Sequence, residues 1–378
     1  MDIHFPTKIH FADDAVEKVV EYISANFSSC LIITGGARTR SSSLFVEILR
    51  SLRTKLSSVF VIEGIHSNPR EEEIIQAAKD ARRHGPDCIL SIGAGSVHDA
   101  AKIISVLIND EFSIEELTVE SQGYNKIKNV TVPLFCVPSI VGTGTEISPA
   151  SLIRIGHQKR IVFSPHLYPK AAYYSFQHIG SDDIELNVLA AFDSFVHSLE
   201  ALTSQRANLW AEMYALAGIK NSLEGIKRLS DSGSSPSVWK QLSHASAQGL
   251  LAVANSSVGA IHALSDPLSG IYDIHHGRAL ALVAPKVLSI NYEVCAERYH
   301  VVEGLMSEIL VLPRSMRIPE AVEAFLDNVA PSRKVGIPEI DLSEQGMARL
   351  VAESRNPDME GAPKTLTDDE IKTAFRSM

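Results

Sequence analysis

Short apolar runs alternate with amphipathic stretches through the first half of the chain. CLIIT (30–34), VFVIEG (59–64), CILSIG (88–93) and LFCVP (134–138) are brief and aliphatic, and Gly, Pro or polar residues bound them. That is the pattern of strands buried on both faces. Between them, RSSSLFVEILRSLRTKL, PREEEIIQAAKDARRHG and SVHDAAKIISVLI space their apolar positions at a helical period. The alternation predicts a parallel sheet with helices on its faces, joined by right-handed crossovers. The N-terminal MDIHFPTKIHF places Ile3 and Phe5, then Ile9 and Phe11, at strand spacing.

Past about residue 180 the strand pattern stops. IELNVLAAFDSFVHSLEAL, NLWAEMYALAGIKNSLEGIKRL, VWKQLSHASAQGLLAVANSS, RALALVAPKVLSI, PEAVEAFLDNVA and SEQGMARLVAES all read as helices, with SDSGSSPS (230–237) as a loop. The fold class expected is an α/β domain over residues 1–180 followed by an all-helical domain over 181–378. The cleft between two such domains is the default place for a site.

Composition narrows the partners. A length of 378 residues favours two domains with ample core. A net charge of −10 without a long basic block argues against nucleic acid as the partner. No apolar run approaches the length that crosses a bilayer, so no membrane partner is expected. The N-terminus lacks the basic start and apolar core of a signal peptide. Cys30, Cys88, Cys136 and Cys295 are scattered with no CxxC, which suits reduced packing thiols in a cytoplasmic protein.

Four residues stand out as candidate chemistry: Asp193, His197, His262 and His276. The first two are four apart in LAAFDSFVHSLEAL, one turn apart on one helix face. The other two are fourteen apart in HALSDPLSGIYDIHHG, roughly 21 Å on an unbroken helix, too far to share an ion. Pro267 and Gly270 would break that helix and let His276 turn back toward His262. Three imidazoles and a carboxylate suit Fe(II) or Zn(II) better than Mg or Ca. With 14 histidines in the chain, chance clusters are also expected, and any one of these alone reads as an ordinary core or surface residue.

Two glycine loops follow strands. CILSIGAGSVHDAAK runs from a strand through Gly93-Ala94-Gly95-Ser96 into a helix, where small residues and unpaired N–H groups favour a phosphate. Ser96 could cap the helix, and Asp99 sits in its first turn. His98 occupies the third glycine position of a GxGxxG, so a plain strand-to-helix turn is an equally good reading. VPSIVGTGTEIS (137–148) supplies a second loop with Gly142, Thr143, Gly144 and Thr145.

Taken together, these segments resemble the iron-dependent (group III) alcohol dehydrogenase family. GAGSVHDAAK is similar to that family's GGGSxxDxAK loop, and PSIVGTGTEIS to its PTTAGTGSE loop. AFDSFVHSLEA and HALSDPLSGIYDIHHG resemble its two metal segments, and GIPEIDLSEQGMARLVAESRNP its closing pattern. The resemblance implies a dehydroquinate-synthase-like fold with a nicotinamide dinucleotide in the first domain and a metal in the second. It makes Asp193, His197, His262 and His276 the metal ligands. It puts Gly93, Gly95, Ser96, Ser139, Thr143 and Lys159 at the cofactor, with Asp99 in the same loop.

Three departures refine the expectation. Where the family often has the second His of HxxxH, this chain has Asp266, so proton transfer is expected from Asp266 or from His275. Where NAD-preferring relatives carry Asp, it has Gly35, with Arg38, Arg40 and Ser41 nearby to hold a 2′-phosphate, so NADP(H) is expected over NAD(H). Arg278 follows the second metal segment and could hold an anionic aldehyde. The function expected is a metal-dependent alcohol dehydrogenase or aldehyde reductase for a small primary alcohol or aldehyde. It would use Fe(II), or alternatively Zn(II), and form a homodimer or larger homo-oligomer. Two rivals share the features: a metal-dependent lyase or synthase on the dehydroquinate-synthase scaffold, and a non-catalytic nucleotide-binding protein.

Overall fold

The aliphatic runs of the first half pair as a six-stranded parallel sheet. The computed structural model describes residues 5–128 and 131–378, and the chain divides into two units, Met1–Gly180 and Ser181–Met378. Ile3 lies outside the described residues.

The first unit runs β1 (Lys8–Phe11), α1 (Ala15–Asn26), β2 (Ser29–Thr34), α2 (Ala37–Arg40), α3 (Ser43–Lys55), β3 (Ser58–Ile62), α4 (Glu71–His84), β4 (Cys88–Gly93), α5 (Gly95–Leu107) and α6 (Ile114–Leu117). It continues through β5 (Leu134–Pro138), β6 (Ala150–Ile155), β7 (Gln158–Phe163) and β8 (Ala171–Tyr174). The sheet order is β1-β8-β5-β4-β2-β3, every pair parallel. β4 lies inside the sheet and every residue of it is buried, as a strand covered on both faces must be. α4 shows why the amphipathic stretches become helices. Glu71, Glu72 and Glu73 fill its first turn, Arg82, Arg83 and His84 its last, and Gly85 closes it at φ +55°.

The order of the strands matters for function. The chain goes from β2 outward to β3, then returns to the other side of β2 for β4. The carboxyl ends of β2 and β4 therefore flank a topological switch point, where open α/β sheets bind ligands. The Gly35 loop leaves one of these ends and the Gly93–Ser96 loop the other.

Several elements escape the sequence pattern. β8 is AAYY, short and bounded by Pro169 and Lys170, yet it joins β1 to β5. β6 and β7 form an antiparallel hairpin closed by Gly156 at φ +59° and His157.

The second unit runs α7 (Ile184–Thr203), α8 (Leu209–Ser232), α9 (Pro236–Ala254), α10 (Ala260–Tyr272), α11 (His276–Leu310), α12 (Ile318–Val329), α13 (Glu344–Glu353) and α14 (Asp368–Arg376). α7 is buried at every position from Asn187 to Thr203, the mark of a helix packed on all sides. The loop expected at 230–237 shrinks to Gly233–Ser235, because α8 extends to Ser232 and α9 starts with Pro236 behind the Ser235 cap.

Two expectations need correcting. Pro267 and Gly270 do not break α10, which runs unbroken to Tyr272. A proline inside a helix frees the carbonyl four residues back. Here that carbonyl belongs to Ala263, and Asn356 Nδ2 donates to it at 3.2 Å. The turn comes later, at Asp273 with φ +57°, and α11 starts three residues on. Second, one helix among the described residues, α11, is long and apolar enough by length and composition to cross a membrane, although 56% of the apolar 18-residue segment within it is buried in the protein. Its apolar span is masked in the sequence by Lys286 and Glu293.

Asn356→Leu should destabilise the helical unit by about 1–3 kcal/mol, since it strands the Ala263 carbonyl. In a Pro267→Ala background an amide at 267 serves that carbonyl, and the loss should shrink. Denaturant unfolding of the four proteins checks this, and equal losses in both backgrounds would refute the pairing.

Candidate metal centre and glycine loops

Asp193 faces inward from the middle of α7 and is 2% exposed. Three imidazoles surround its carboxylate. His262 Nε2 is 3.2 Å from Oδ1, His197 Nδ1 is 3.4 Å from Oδ1, and His276 Nε2 is 3.9 Å from Oδ2. The rings of His197 and His262 stack at 4.6 Å. Asp193, His262 and His276 each offer one donor atom within 4.8 Å of the others. Thus all four residues singled out from the sequence meet in one place, with His197 stacked at the side of the tighter trio.

The local fold explains the meeting. His197 follows Asp193 by one turn of α7. His262 stands in the first turn of α10, and the Asp273–His275 turn brings the start of α11, His276, back beside it; their rings are 5.5 Å apart. Gly277 allows α11 to press against α7, since a Cβ there would lie 2.1 Å from the Leu189 carbonyl oxygen.

These distances fit a shared ion. Donors about 2.1 Å from a metal at tetrahedral angles stand about 3.4 Å apart, and the three imidazole–carboxylate separations lie between 3.2 and 3.9 Å. Burial opposes ionisation of Asp193, but His197, His276 and His262 outweigh it and hold the carboxyl well below its ordinary range. The donor set, nitrogen-rich with one oxygen, suits Fe(II) or Zn(II).

Glu200 completes the arrangement, and sequence reasoning missed it. Its Oε2 accepts from His262 Nδ1 at 2.7 Å and from the Gly259 N–H at 2.9 Å, and its Oε1 accepts from the Ile261 N–H at 2.6 Å. The carboxylate thus caps the N-terminus of α10 and holds the His262 ring by its Nδ1 proton, with Nε2 directed at Asp193. The signal was present: Glu200 lies seven residues after Asp193 and three after His197, on the same face of α7.

The remaining residues flagged in this unit fall as follows. Asp266 is buried on α10, one turn beyond His262. His275 precedes α11 as its N-cap residue. Arg278 is engaged within the protein: Nη1 donates to the Val335 carbonyl at 3.3 Å and Nη2 lies 3.8 Å from Glu185 Oε1.

In the first unit, Gly35 and Gly93 lie on either side of Val97, whose methyl would be 3.5 Å and 2.5 Å from a Cβ at each. Ser139 N–H donates to the Gly93 carbonyl at 2.8 Å. A Cβ at Gly95 would meet Thr143 Oγ1 at 2.7 Å, so the two glycine loops touch. Ser96 is not the cap of α5; the helix starts one residue earlier, at Gly95, behind Ala94. Asp99 is buried, and its carboxylate accepts from Thr145 Oγ1 at 2.5 Å. Lys159 is on β7 opposite Arg154 of β6; burial raises the Asp99 pKa, and the Lys102 and Lys159 charges oppose that shift without reversing it. Arg38, Arg40 and Ser41 are exposed on and after the short α2, and Arg40 Nη1 donates to Glu63 at 2.7 Å. His98 is fully buried with Nδ1 2.7 Å from Ser91 Oγ, and burial lowers its pKa to about 3.

Comparison with known proteins decides the family. Residues 6–175 match the model for "Iron-containing alcohol dehydrogenase", and residues 187–378 that for "Fe-containing alcohol dehydrogenase family, C-terminal". The chain belongs to the iron-containing alcohol dehydrogenase family. It is 28% identical over 304 residues to 4-hydroxybutyrate dehydrogenase of Cupriavidus necator, covering 78% of each chain. Among solved structures it resembles NADH-dependent butanol dehydrogenase A of Thermotoga maritima, with TM-score 0.87, 22% identity and 100% and 98% of the two chains covered. It also resembles sulfoacetaldehyde reductase of Bifidobacterium kashiwanohense, with TM-score 0.83, 20% identity and 99% and 97% coverage. As an iron-containing alcohol dehydrogenase family member it is an oxidoreductase, and the lyase and scaffold rivals fall away.

Within this family member, the tie between Glu200 and His262 yields a direct test. Glu200→Gln keeps the shape and removes the anion. It should weaken metal binding about 10–100-fold, as loss of an outer partner of a ligating histidine does. Chelator competition with Fe(II) or Zn(II) reads this, and an unchanged affinity would show that Glu200 only caps α10.

Proposed function

We propose that this protein interconverts a small primary alcohol and its aldehyde. In this reading Asp193, His197, His262 and His276 hold one Fe(II), or alternatively Zn(II), and the first unit holds a nicotinamide dinucleotide. The observation that carries the reading is the convergence of Asp193, His262 and His276 donor atoms within 4.8 Å. A bound cation supplies a Lewis acid for the alcohol oxygen. The nicotinamide ring supplies the hydride acceptor, and in reverse the donor.

The residues divide the remaining work. Asp193 would bring negative charge to the cation, and Glu200, by accepting the His262 Nδ1 proton, keeps Nε2 turned toward Asp193. Gly93, Gly95, Ser96, Ser139, Thr143 and Lys159 line the dinucleotide, with backbone N–H groups at the start of α5 toward the phosphates. The hydroxyl proton passes to the Asp266 carboxylate or the His275 imidazole. Asp266 supports this by following His262 by one turn, and His275 by adjoining His276.

Cofactor preference is assigned to NADP(H). Gly35 offers no carboxylate for ribose hydroxyls, and exposed Arg38 and Ser41 adjoin it. Against this, Arg40 is already paired with Glu63, and the similar Thermotoga maritima enzyme is named NADH-dependent. The substrate reading stays with a small primary alcohol or aldehyde, a small anionic aldehyde being the alternative. The Cupriavidus necator and Bifidobacterium kashiwanohense relatives are named for anionic compounds, but Arg278 is committed to Glu185 and Val335.

After anaerobic loading with Fe(II) or Zn(II), a panel of short neutral and carboxylated aldehydes should oxidise NADPH with higher kcat/KM than NADH, and a chelator should abolish it. No turnover with any aldehyde sinks the function, whereas an NADH preference sinks only the assignment to NADP(H). For the proton, Asp266→Asn or His275→Ala should lower kcat and move its pH profile at unchanged metal content. Parental profiles in both variants would remove both residues from proton transfer.

A further inference from the structure

Six charged or hydroxyl side chains, those of Asp99, Lys102, Thr145, Glu146, Ser151 and Tyr174, are buried behind the glycine loops, and none has a place in the chemistry above. Lys102 is fully buried on α5, with Asp99 one turn before it. Its Nζ donates to Thr145 Oγ1 at 2.6 Å and to the Ala150 carbonyl at 2.5 Å, and lies 3.5 Å from Asp99 Oδ1. Thr145 in turn donates to Asp99 Oδ1, and Ser151 Oγ donates to the Asp99 carbonyl at 2.9 Å. The neighbouring Glu146 is 1% exposed and accepts from Tyr174 Oη at 2.7 Å. Charges so buried are costly, and apolar residues would pack this space at least as well. Their effect is to fasten the segment 145–151 to α5 and to β8.

The ties form a chain that ends at the start of α5. Lys102 and Asp99 hold the Thr145 hydroxyl. The Thr145 N–H donates to Thr143 Oγ1 at 3.3 Å. The Thr143 side chain occupies the space over Gly95 that a Cβ would claim, 2.7 Å away. The position of the Thr143 hydroxyl above the first turn of α5 therefore depends on a lysine two turns further along that helix.

We propose that Lys102, Asp99 and Thr145 are positioning residues that set the gap between the two glycine loops and so the affinity for the dinucleotide's pyrophosphate. This moves Asp99 from cofactor contact to support behind it. The inference rests on the reading that the first unit binds a dinucleotide.

The test uses the full-length, metal-loaded protein. Thr145→Val removes the hydroxyl at constant shape, Thr145→Ser keeps it, and Lys102→Met removes the ammonium. Fluorescence titration with NADPH and NADH, and calorimetry with ADP-ribose, give dissociation constants. Thr145→Val and Lys102→Met should weaken all three ligands about tenfold or more, as small displacements of a binding group do. Thr145→Ser should stay close to the parent, and aldehyde KM at saturating dinucleotide and metal content should not move. Parental affinity in Thr145→Val, or an equal loss in Thr145→Ser, overturns the proposal. A lowered melting temperature with unchanged affinity does so too, because the network would then serve stability alone. If the parent binds none of the three ligands, the dinucleotide reading falls first and takes this one with it.

Discussion

The buried carboxylate of Asp193 constrains the helical unit more than any other group. It sits on a helix covered along nearly its whole length, where an isolated anion is intolerable. Compensation must come from neighbours, and α7 itself supplies only His197. The other two imidazoles stand at the start of α10 and the start of α11, so both helix starts must reach one side of α7. The αL residue Asp273, the missing Cβ of Gly277 and the Glu200 cap on α10 follow from that demand. The donor atoms of Asp193, His262 and His276 lie within 4.8 Å of one another, close enough to share a cation. Two imidazoles approach a single carboxylate oxygen, Oδ1, yet the His197 and His276 contacts are longer than ordinary hydrogen bonds.

The sheet unit places its charges differently. Asp99, Lys102 and Glu146 are turned into the protein, where they tie backbone segments together. Apart from the exposed Arg38 and Arg40 beyond β2, what is left at the carboxyl ends of β2 and β4 is glycine, main-chain N–H and hydroxyl. Such groups recognise an anion through dipoles fixed in advance, without a full charge that salt would screen. The helical unit gathers charged and ring groups around Asp193, whereas the sheet unit buries Asp99, Lys102 and Glu146 behind its glycine loops.

The legibility of the chain follows from these constraints. The strands CLIIT, CILSIG and LFCVP could be read because burial on both faces demands continuous aliphatic runs. β8 could not, because Ala171-Ala172-Tyr173-Tyr174 owes its place to neighbours on either side and carries little strand signal of its own. Asp193, His197, His262 and His276 could be read as a set because their chemistry is unusual, while Glu200 looked like one more polar helix position. The supposed break at Pro267 failed for a similar reason. A helix-breaking residue is judged locally, but Asn356, almost ninety positions later, supplies the missing bond. The buried network around Lys102 was equally hidden, since a lysine three residues after an aspartate usually marks a solvated face.

Charge compensation also bears on what the sequence suggested for Arg278. As an isolated feature, an arginine beside a metal segment invites an anionic substrate. In the folded chain its guanidinium already lies against Glu185 and the Val335 carbonyl, while Glu185 also accepts from the Ser332 N–H at 3.2 Å. A substrate carboxylate arriving there would replace one anion by another, and Glu185 would be left facing it. The exchange gains little Coulomb energy and adds repulsion, so selection for an anion at this residue would require Glu185 to move as well. The segment around residues 332–335 is held by the same two side chains. Arg278 is therefore better understood as a tie between the start of α11, Glu185 and residues 332–335 than as a receptor for an anion.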